Sequence, residues 1–363
     1  MQENRRHADE WRARHQAWRA SDPTRAALLD RHLTLAVPDD LDAKLLAAVG
    51  TDAAATRVLA SKVLQAAAAE IPAMVGGAAD LDPSTKTAIK DGGSVGRGKF
   101  GGRTLHFGIR EHAMGSVSNG LALYGGLLPH TATFMVFADY MRPPMRLACL
   151  MKTRTTFVFT HDSIFLGEDG PTHQPVEQLP GLRQIPGMSV WRPADGVEVA
   201  MAWAWCLGKA QAPTCLILTR QNVPNLERPA SFTPRDVWKG AYAVVAADRP
   251  DVVLVASGSE VGVAVAAAKL LAGKGVRARV VSVPCRELFE AQPRAAQSAL
   301  LPADTPVCVL EAARLRDWCA LVGKDALLLG QESFGASAPA KDLAAHFGFT
   351  PEAVADKVVA RLA

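Results

Sequence analysis

The chain has 363 residues, 49% hydrophobic and 21% charged, with a formal net charge of +4. That length suits two or three domains with sizeable cores. No apolar stretch reaches membrane-spanning length, and the charged segment from Met1 to Arg19 lacks the apolar core of a signal peptide.

The first 50 residues read as a polar helical linker that wraps a domain, broken at Pro23 and Pro38. Its basic excess (Arg5, Arg6, Arg12, Arg14, Arg19, Arg25) is interspersed with Glu3, Asp9, Glu10, Asp22 and Asp30, and no aromatic-basic pattern follows. It is therefore a solvated helix face rather than a nucleic-acid arm. From residue 51 to 228, short strand-like runs alternate with helical ones. Leu59, Val63, Ala66 and Ala67, three and four apart, predict a helix ending near Glu70 and Ile71. Ala73–Val75, Thr104–Phe107, Leu127–Thr133, Thr155–Thr160, Ser189–Arg192 and Cys215–Thr219 predict strands. These runs are short and largely apolar, as parallel strands covered on both faces should be. Leu226 to Lys239, with Pro229 and Pro234, is a linker. Residues 240–363 form a second block: strands at Asp251–Ala256, Val276–Val283 and Val307–Leu310, and a helix at Val261–Leu271 stopped by Gly273 to Gly275. The prediction is an α/β protein with two doubly wound, parallel or mixed-sheet domains. The six cysteines form no C-x-x-C pair and have apolar neighbours, which suits small core residues in a reducing cytoplasm.

Open parallel sheets bind ligands at the carboxyl ends of their strands. After the predicted strands come Gly76 to Ser84, Gly108 to His112, His161 to Ser163 with Gly167 to His173, and Arg220 to Asn222. Polar and ionisable groups thus gather on one rim, as a pocket for a polar substrate requires. The spacing of His161, Asp169 and His173 fits no common metal motif. Ser257–Glu260 lacks the glycine signature of a phosphate loop and reads as a helix N-cap with an acidic first turn. The C-terminal block is accordingly assigned to packing and dimerisation.

The strings GGAADLDPS (76–84), FGIREHAM (107–114), TFMVFADY (133–140), THDSIFLGEDGPTHQPVEQ (160–178) and LTRQN (218–222) resemble those of transketolases, in order and in spacing. SGSE (257–260), FGASAP (334–339) and FGFT (347–350) fit as well. The resemblance implies a thiamine-diphosphate-binding pyrimidine domain at 51–228 and a transketolase C-terminal domain at 240–363, behind the helical segment 1–50. It implies that Glu111 hydrogen-bonds the pyrimidine N1′ while holding or sharing a proton, and that Phe134, Phe137 and Tyr140 stack on that ring beside Asp80 and Leu81. It places His173 at the donor's C1 hydroxyl and reacting carbonyl, His161 toward the acceptor aldehyde, and Asp169 at the acceptor's C2 hydroxyl. Arg57, Ser84 and Arg220 would hold the sugar phosphate, arginine because its planar fork donates two parallel hydrogen bonds. The implied reaction moves a two-carbon ketol unit from a ketose phosphate to an aldose phosphate, in the pentose phosphate pathway.

The sequence carries no GDG…N motif for Mg²⁺ and the diphosphate. The expectation is therefore thiamine diphosphate shared with a separate diphosphate-binding subunit that holds Mg²⁺, in a homodimer or heterotetramer. The competing readings are a catalytically silent truncated or regulatory paralogue, dihydroxyacetone synthase, and an oxo-acid dehydrogenase β chain; GEDGPTHQP with Arg220 argues against the last. Phe165, Thr85 and Ala78 depart from the family's usual residues. Phe165, where glycine is usual, is expected to narrow the substrate channel or shift the loop.

Overall fold

The computed structural model describes residues 2–363; Met1, the first residue of the N-terminal segment read from sequence, lies outside them. Three helices lead: α1 (Gln2–Ser21), α2 (Pro23–Leu33) and α3 (Leu41–Val49). Pro23 opens α2, and the Asp22 side chain accepts the Arg25 amide, satisfying one of the free donors of the first turn. The Arg19 fork donates to Asp30 at 2.8 and 2.6 Å and joins α1 to α2. Leu41, Leu45 and Val49 recur along one face of α3 and are buried against α4 (Thr56–Glu70) and the later helix α9 (Gly196–Gly208).

The first sheet has strands β1 (Met74–Ala78), β2 (Thr104–His106), β3 (Leu128–Phe134), β4 (Thr156–Thr160), β5 (Ser189–Trp191) and β6 (Thr214–Leu218). They are all parallel, in the order β2-β1-β3-β4-β6-β5. The crossovers run through α5 (Asp82–Thr85), α6 (Glu111–Tyr124), α7 (Ala138–Met151), α8 (Gln178–Arg183) and α9 (Gly196–Gly208). Strand β1 starts one residue later than its sequence suggests and runs on through Gly76 and Gly77, which the sequence reading placed in the following loop. Both positions need glycine because neighbouring strands crowd them. A Cβ on Gly76 would lie 2.1 Å from the His130 carbonyl oxygen, and one on Gly77 1.8 Å from that of Leu105.

The second sheet is mixed: β7 (Tyr242–Val245), β8 (Val252–Ala256), β9 (Ala278–Ser282), β10 (Val307–Leu310) and β11 (Leu327–Leu329), in the order β11-β10-β8-β9-β7. Only β7 is antiparallel. The edge strands β7 and β11 were not read from sequence. Helix α10 (Glu260–Gly273) packs on β8 and β9. The sheets meet at the edge of β5. The Arg192 amide donates to the Pro284 carbonyl at 2.8 Å, the Val190 amide to Glu287 Oε2 at 3.1 Å, and Trp191 bridges Cys285. One apolar core, containing Val158 and Leu216 of the first sheet and Leu254 and Val280 of the second, runs through the joint. No helix among the described residues is long and apolar enough to cross a membrane.

Candidate functional site

The site begins where β3, β4 and β6 end side by side. Phe134 closes β3, His161 follows β4, and Arg220 follows β6 by two residues. The N-terminus of α4 is pinned to the same edge. The Thr56 amide donates to Thr219 Oγ1 at 2.9 Å, and the Thr219 amide returns to Thr56 Oγ1 at 2.7 Å. This reciprocal pair sets Arg57 next to Arg220, although 163 positions separate each residue from its counterpart.

Glu111 is the first residue of α6 and is buried; its Oε1 accepts a hydrogen bond from Thr133 Oγ1 at 3.2 Å. Next along β3 stands a run of rings. Phe134 and Phe137 stack with centroids 6.0 Å apart and planes 9° apart, and Phe137 continues to Tyr140 at 6.0 Å. Both histidines join it. His161 stacks on Phe134 at 3.6 Å, and His173 meets Phe137 edge-on at 5.7 Å. Tyr140 is 65% exposed, so the outer end of the wall is bare.

His161 is buried, with a positive φ of +60°. Its Nε2 lies 3.4 Å from the Arg57 guanidinium, which can only donate, so Nε2 is the acceptor and Nδ1 carries the hydrogen toward Thr160 Oγ1 at 2.8 Å. Burial first, and then Arg57, Arg220 and His173, lower the His161 pKa from 6.5 to about 3; the ring is neutral at physiological pH. Arg57 is lowered too, by burial first and then by Arg220, while Asp169 acts in the opposite direction. Arg57, His161, Asp169, His173 and Arg220 therefore form one electrostatic group. Arg220 and Asp169 are exposed at its mouth. Arg57 donates at 2.8 Å to the carbonyl of Ser84, and the Ser84 hydroxyl takes no part in that contact. Asp80 is exposed with φ +61°, and Leu81 caps the start of α5 beside it.

The loop from Gly167 to His173 is held from behind by the C-terminal domain. The amide of buried Gln174 donates at 2.9 Å both to Gly167 O and to Ala336 O, and Ser337 Oγ donates at 2.5 Å to Glu168 O. A Cβ on Gly170 would meet Ser337 at 3.3 Å, and one on Gly167 would meet the Ala338 carbonyl at 3.5 Å. The glycines thus leave room for the supporting segment behind the loop. Phe165 does not face the channel it was expected to narrow. It is 7% exposed and packs edge-on against Phe349 at 5.6 Å, inside the joint and away from the rim.

Three residues that sequence reasoning passed over lie directly under the site: Asp162, Gln174 and Arg192. Asp162 and Gln174 sit inside the 160–178 string, which was the only signal for them. Among the described residues, no group of three or more His, Cys, Asp or Glu side chains is arranged to hold a metal ion. The rim fits the pyrimidine end of a thiamine cofactor, with a buried carboxyl beside a half-bare aromatic wall. It offers no carboxylate cluster for a metal-bound diphosphate.

Two family models match the chain: the transketolase pyrimidine binding domain over residues 52–225, and the transketolase-like C-terminal domain over residues 240–350. The transketolase of Aquifex aeolicus is 47% identical over 306 residues, which is 84% of this chain and 44% of that protein. The Pichia stipitis transketolase solved with sedoheptulose 7-phosphate superposes with a TM-score of 0.92 at 37% identity, covering 99% of this chain and 53% of the other. A split-gene transketolase solved as an inactive beta4 tetramer shares the fold, with a TM-score of 0.70 at 24% identity over 85% of this chain and 98% of that one. The chain spans about half the length of the curated relatives it matches. It belongs to the transketolase family.

Proposed function

We propose that this member of the transketolase family forms the pyrimidine-side half of an enzyme that moves a two-carbon ketol unit from a ketose phosphate to an aldose phosphate. The observation that carries the reading is the convergence of Glu111, the Phe134–Phe137–Tyr140 wall, His161, His173, Arg57 and Arg220 on one strand-end rim. Thiamine diphosphate, when bound, supplies the electron sink that makes carbon–carbon cleavage accessible. Glu111 holds a proton at the pyrimidine N1′, and the aromatic wall, with Asp80 and Leu81 at its margin, sets the plane of that ring. His173, beside the wall, exchanges protons with the donor's hydroxyl and carbonyl oxygens. His161, kept neutral, lines the acceptor side without repelling the neighbouring guanidiniums, and its Nε2 is free for an acceptor oxygen only when Arg57 turns to the phosphate. Asp169 accepts from an acceptor hydroxyl at the mouth. Arg220 and Arg57, with Ser84, neutralise the sugar phosphate.

The metal-bound diphosphate lies on a second half, which we assign to a separate subunit holding Mg²⁺. A bare face beside the site suits its docking. Ile109 and, on the outer side of α6 and α7, Val117, Leu123, Tyr124, Leu147, Leu150 and Met151 are exposed while the inner side is buried. A fold of the same extent occurs in the split-gene transketolase, whose beta4 tetramer is inactive. Buried free thiols suit a cytoplasmic location. The test is reconstitution. The chain alone, with cofactor and Mg²⁺ in excess, should give no ketol transfer in a coupled assay, and co-expression with a diphosphate-binding subunit should restore it. Turnover by the chain alone would refute the division of labour, and a reconstituted complex inert toward every sugar phosphate would refute the activity.

A further inference from the structure

Beneath the rim lies a closed loop of hydrogen bonds and ion pairs that joins both flanks of the site to one turn of the C-terminal domain. It starts at Asp162, the residue after His161, whose Oδ2 accepts from both Nε and an NH₂ group of Arg192 at 3.0 and 2.7 Å. Arg192 is 1% exposed. Its other nitrogen donates to the Ser257 carbonyl at 2.8 Å and to Glu260 Oε2. Gly258 folds over it with φ +57°, so close that a Cβ there would lie 2.8 Å from the guanidinium carbon. From Glu260 the path returns to the rim. Ser259 Oγ donates to Glu260 Oε1 at 2.7 Å and accepts from Gln221 Nε2 at 3.1 Å. Gln221 follows Arg220, and its carbonyl accepts from Thr219 Oγ1 at 2.8 Å, beside the Thr56–Thr219 pair that seats Arg57.

The turn Ser257–Glu260 is therefore no ordinary helix cap. The Ser259 side chain makes no cap hydrogen bond. It lies between two carboxyl-end segments of the first sheet, one leg reaching His161 through Asp162 and the other reaching Arg220 through Gln221. His161 needs such support, because a left-handed backbone at a non-glycine residue is strained and persists only where the surroundings over-determine it. We infer that Ser259 and Glu260 are positioning residues: the Ser257–Glu260 turn clamps the two flanks and fixes the His161 imidazole relative to the Arg220 and Arg57 guanidiniums. The clamp assigns the C-terminal domain a role in acceptor geometry beyond packing. It rests on the reading of these three side chains as the acceptor's phosphate-side contacts.

The experiment uses the full chain with ¹⁵N-labelled histidine, the His161 ring signals being assigned with His161→Gln, and inorganic phosphate as the probe. Ser259→Ala cuts the Gln221 leg at a half-buried position and leaves the Arg192 ion pairs in place; Glu260→Gln perturbs the Arg192 leg. Ser259→Ala should move the His161 ring signals and weaken phosphate binding by about three- to tenfold, the worth of one hydrogen bond, with the melting temperature nearly unchanged. Ser259→Thr, which keeps the hydroxyl, should restore both. The clamp is overturned if the His161 signals keep their wild-type positions in both Ser259→Ala and Glu260→Gln. Arg220→Ala separates the two claims. If phosphate binds as well without that guanidinium, or does not bind the wild-type chain, the phosphate-site reading fails, while the ring signals still decide the clamp.

Discussion

The two sheets obey one rule and reach opposite outcomes. Each gathers polar side chains at the carboxyl ends of its parallel strands, as the doubly wound topology requires. At the first rim they stay open: Arg220 and Asp169 are exposed, and Tyr140 presents its ring to the outside. At the second rim, Ser257 and Glu260 follow β8 and Glu311 follows β10, and each of the three is fully buried. There Arg183 donates to Glu311 at 2.7 and 2.8 Å, Trp318 Nε1 at 2.9 Å, and Arg192 takes Glu260 and Asp162. Burial works against charge on Glu311, but Arg183, its hydrogen bonds and Arg192 outweigh it and hold the carboxyl below the ordinary range. At Glu260 burial outweighs Arg192, and the carboxyl is raised. A strand-end cluster with unpaired members is thus a site, and one whose members are paired across a domain boundary is a joint.

The largest effect should come from the open rim. Glu111→Gln keeps the size and the hydrogen bond to Thr133 but removes the exchangeable proton, and it should lower turnover of the reconstituted enzyme by about 10²- to 10⁴-fold. Its thermal unfolding should match wild type. Near-normal ketol transfer in the coupled assay would remove Glu111 from its role and with it the distinction between rim and joint.

At the joint the signs reverse. Arg192→Ala leaves Asp162 and Glu260 buried without their cation, and urea unfolding should show a loss of about 3–5 kcal/mol. A loss as small as an exposed ion pair gives, under about 1 kcal/mol, would mean that the second rim is solvated and that the comparison fails.

How much of this was legible beforehand follows the same division. The rim residues lie in contiguous strings after strand-like runs: chain order put them near strand ends, and the resemblance of those strings to transketolases singled out Glu111, His161, His173 and Arg220. The joint could not be read that way. Arg192 meets Glu260, 68 positions away, and Arg183 meets Glu311, 128 positions away. In a sequence each looks like a surface charge. Phe165 misled for a related reason: a bulky residue inside a substrate motif suggests the channel, whereas its ring is turned backward onto Phe349. The edge strands β7 and β11 are four and three residues long, too short for a pattern of period two to stand out. Gly76 and Gly77 hid the second half of β1 because glycine ordinarily marks a turn.

The smallest effect separates the rim from the sheet interior by pH. His130, inside β3, is lowered from 6.5 to about 4 by burial, partly opposed by the hydrogen bond to the Thr87 carbonyl, while His161 on the rim falls to about 3. Below pH 6.5 the unfolded chain binds protons that the folded chain refuses at both rings, so stability rises with pH from about 4 to 6.5 and the contribution is flat above that window. Each ring adds at most about 1.4 kcal/mol per pH unit. His130→Gln and His161→Gln should each flatten the slope of unfolding free energy between pH 4.5 and 6, whatever they do to its level. Phosphate should distinguish them. Phosphate binding stabilises both variants, but an anion beside Arg57 and Arg220 offsets the guanidiniums that help lower His161, so it should flatten the pH slope of the His130→Gln variant further and leave the slope of His161→Gln nearly unchanged. An equal response in the two variants would mean that His161 does not share the anion's site, and that the rim histidine is as structural as the one in the sheet.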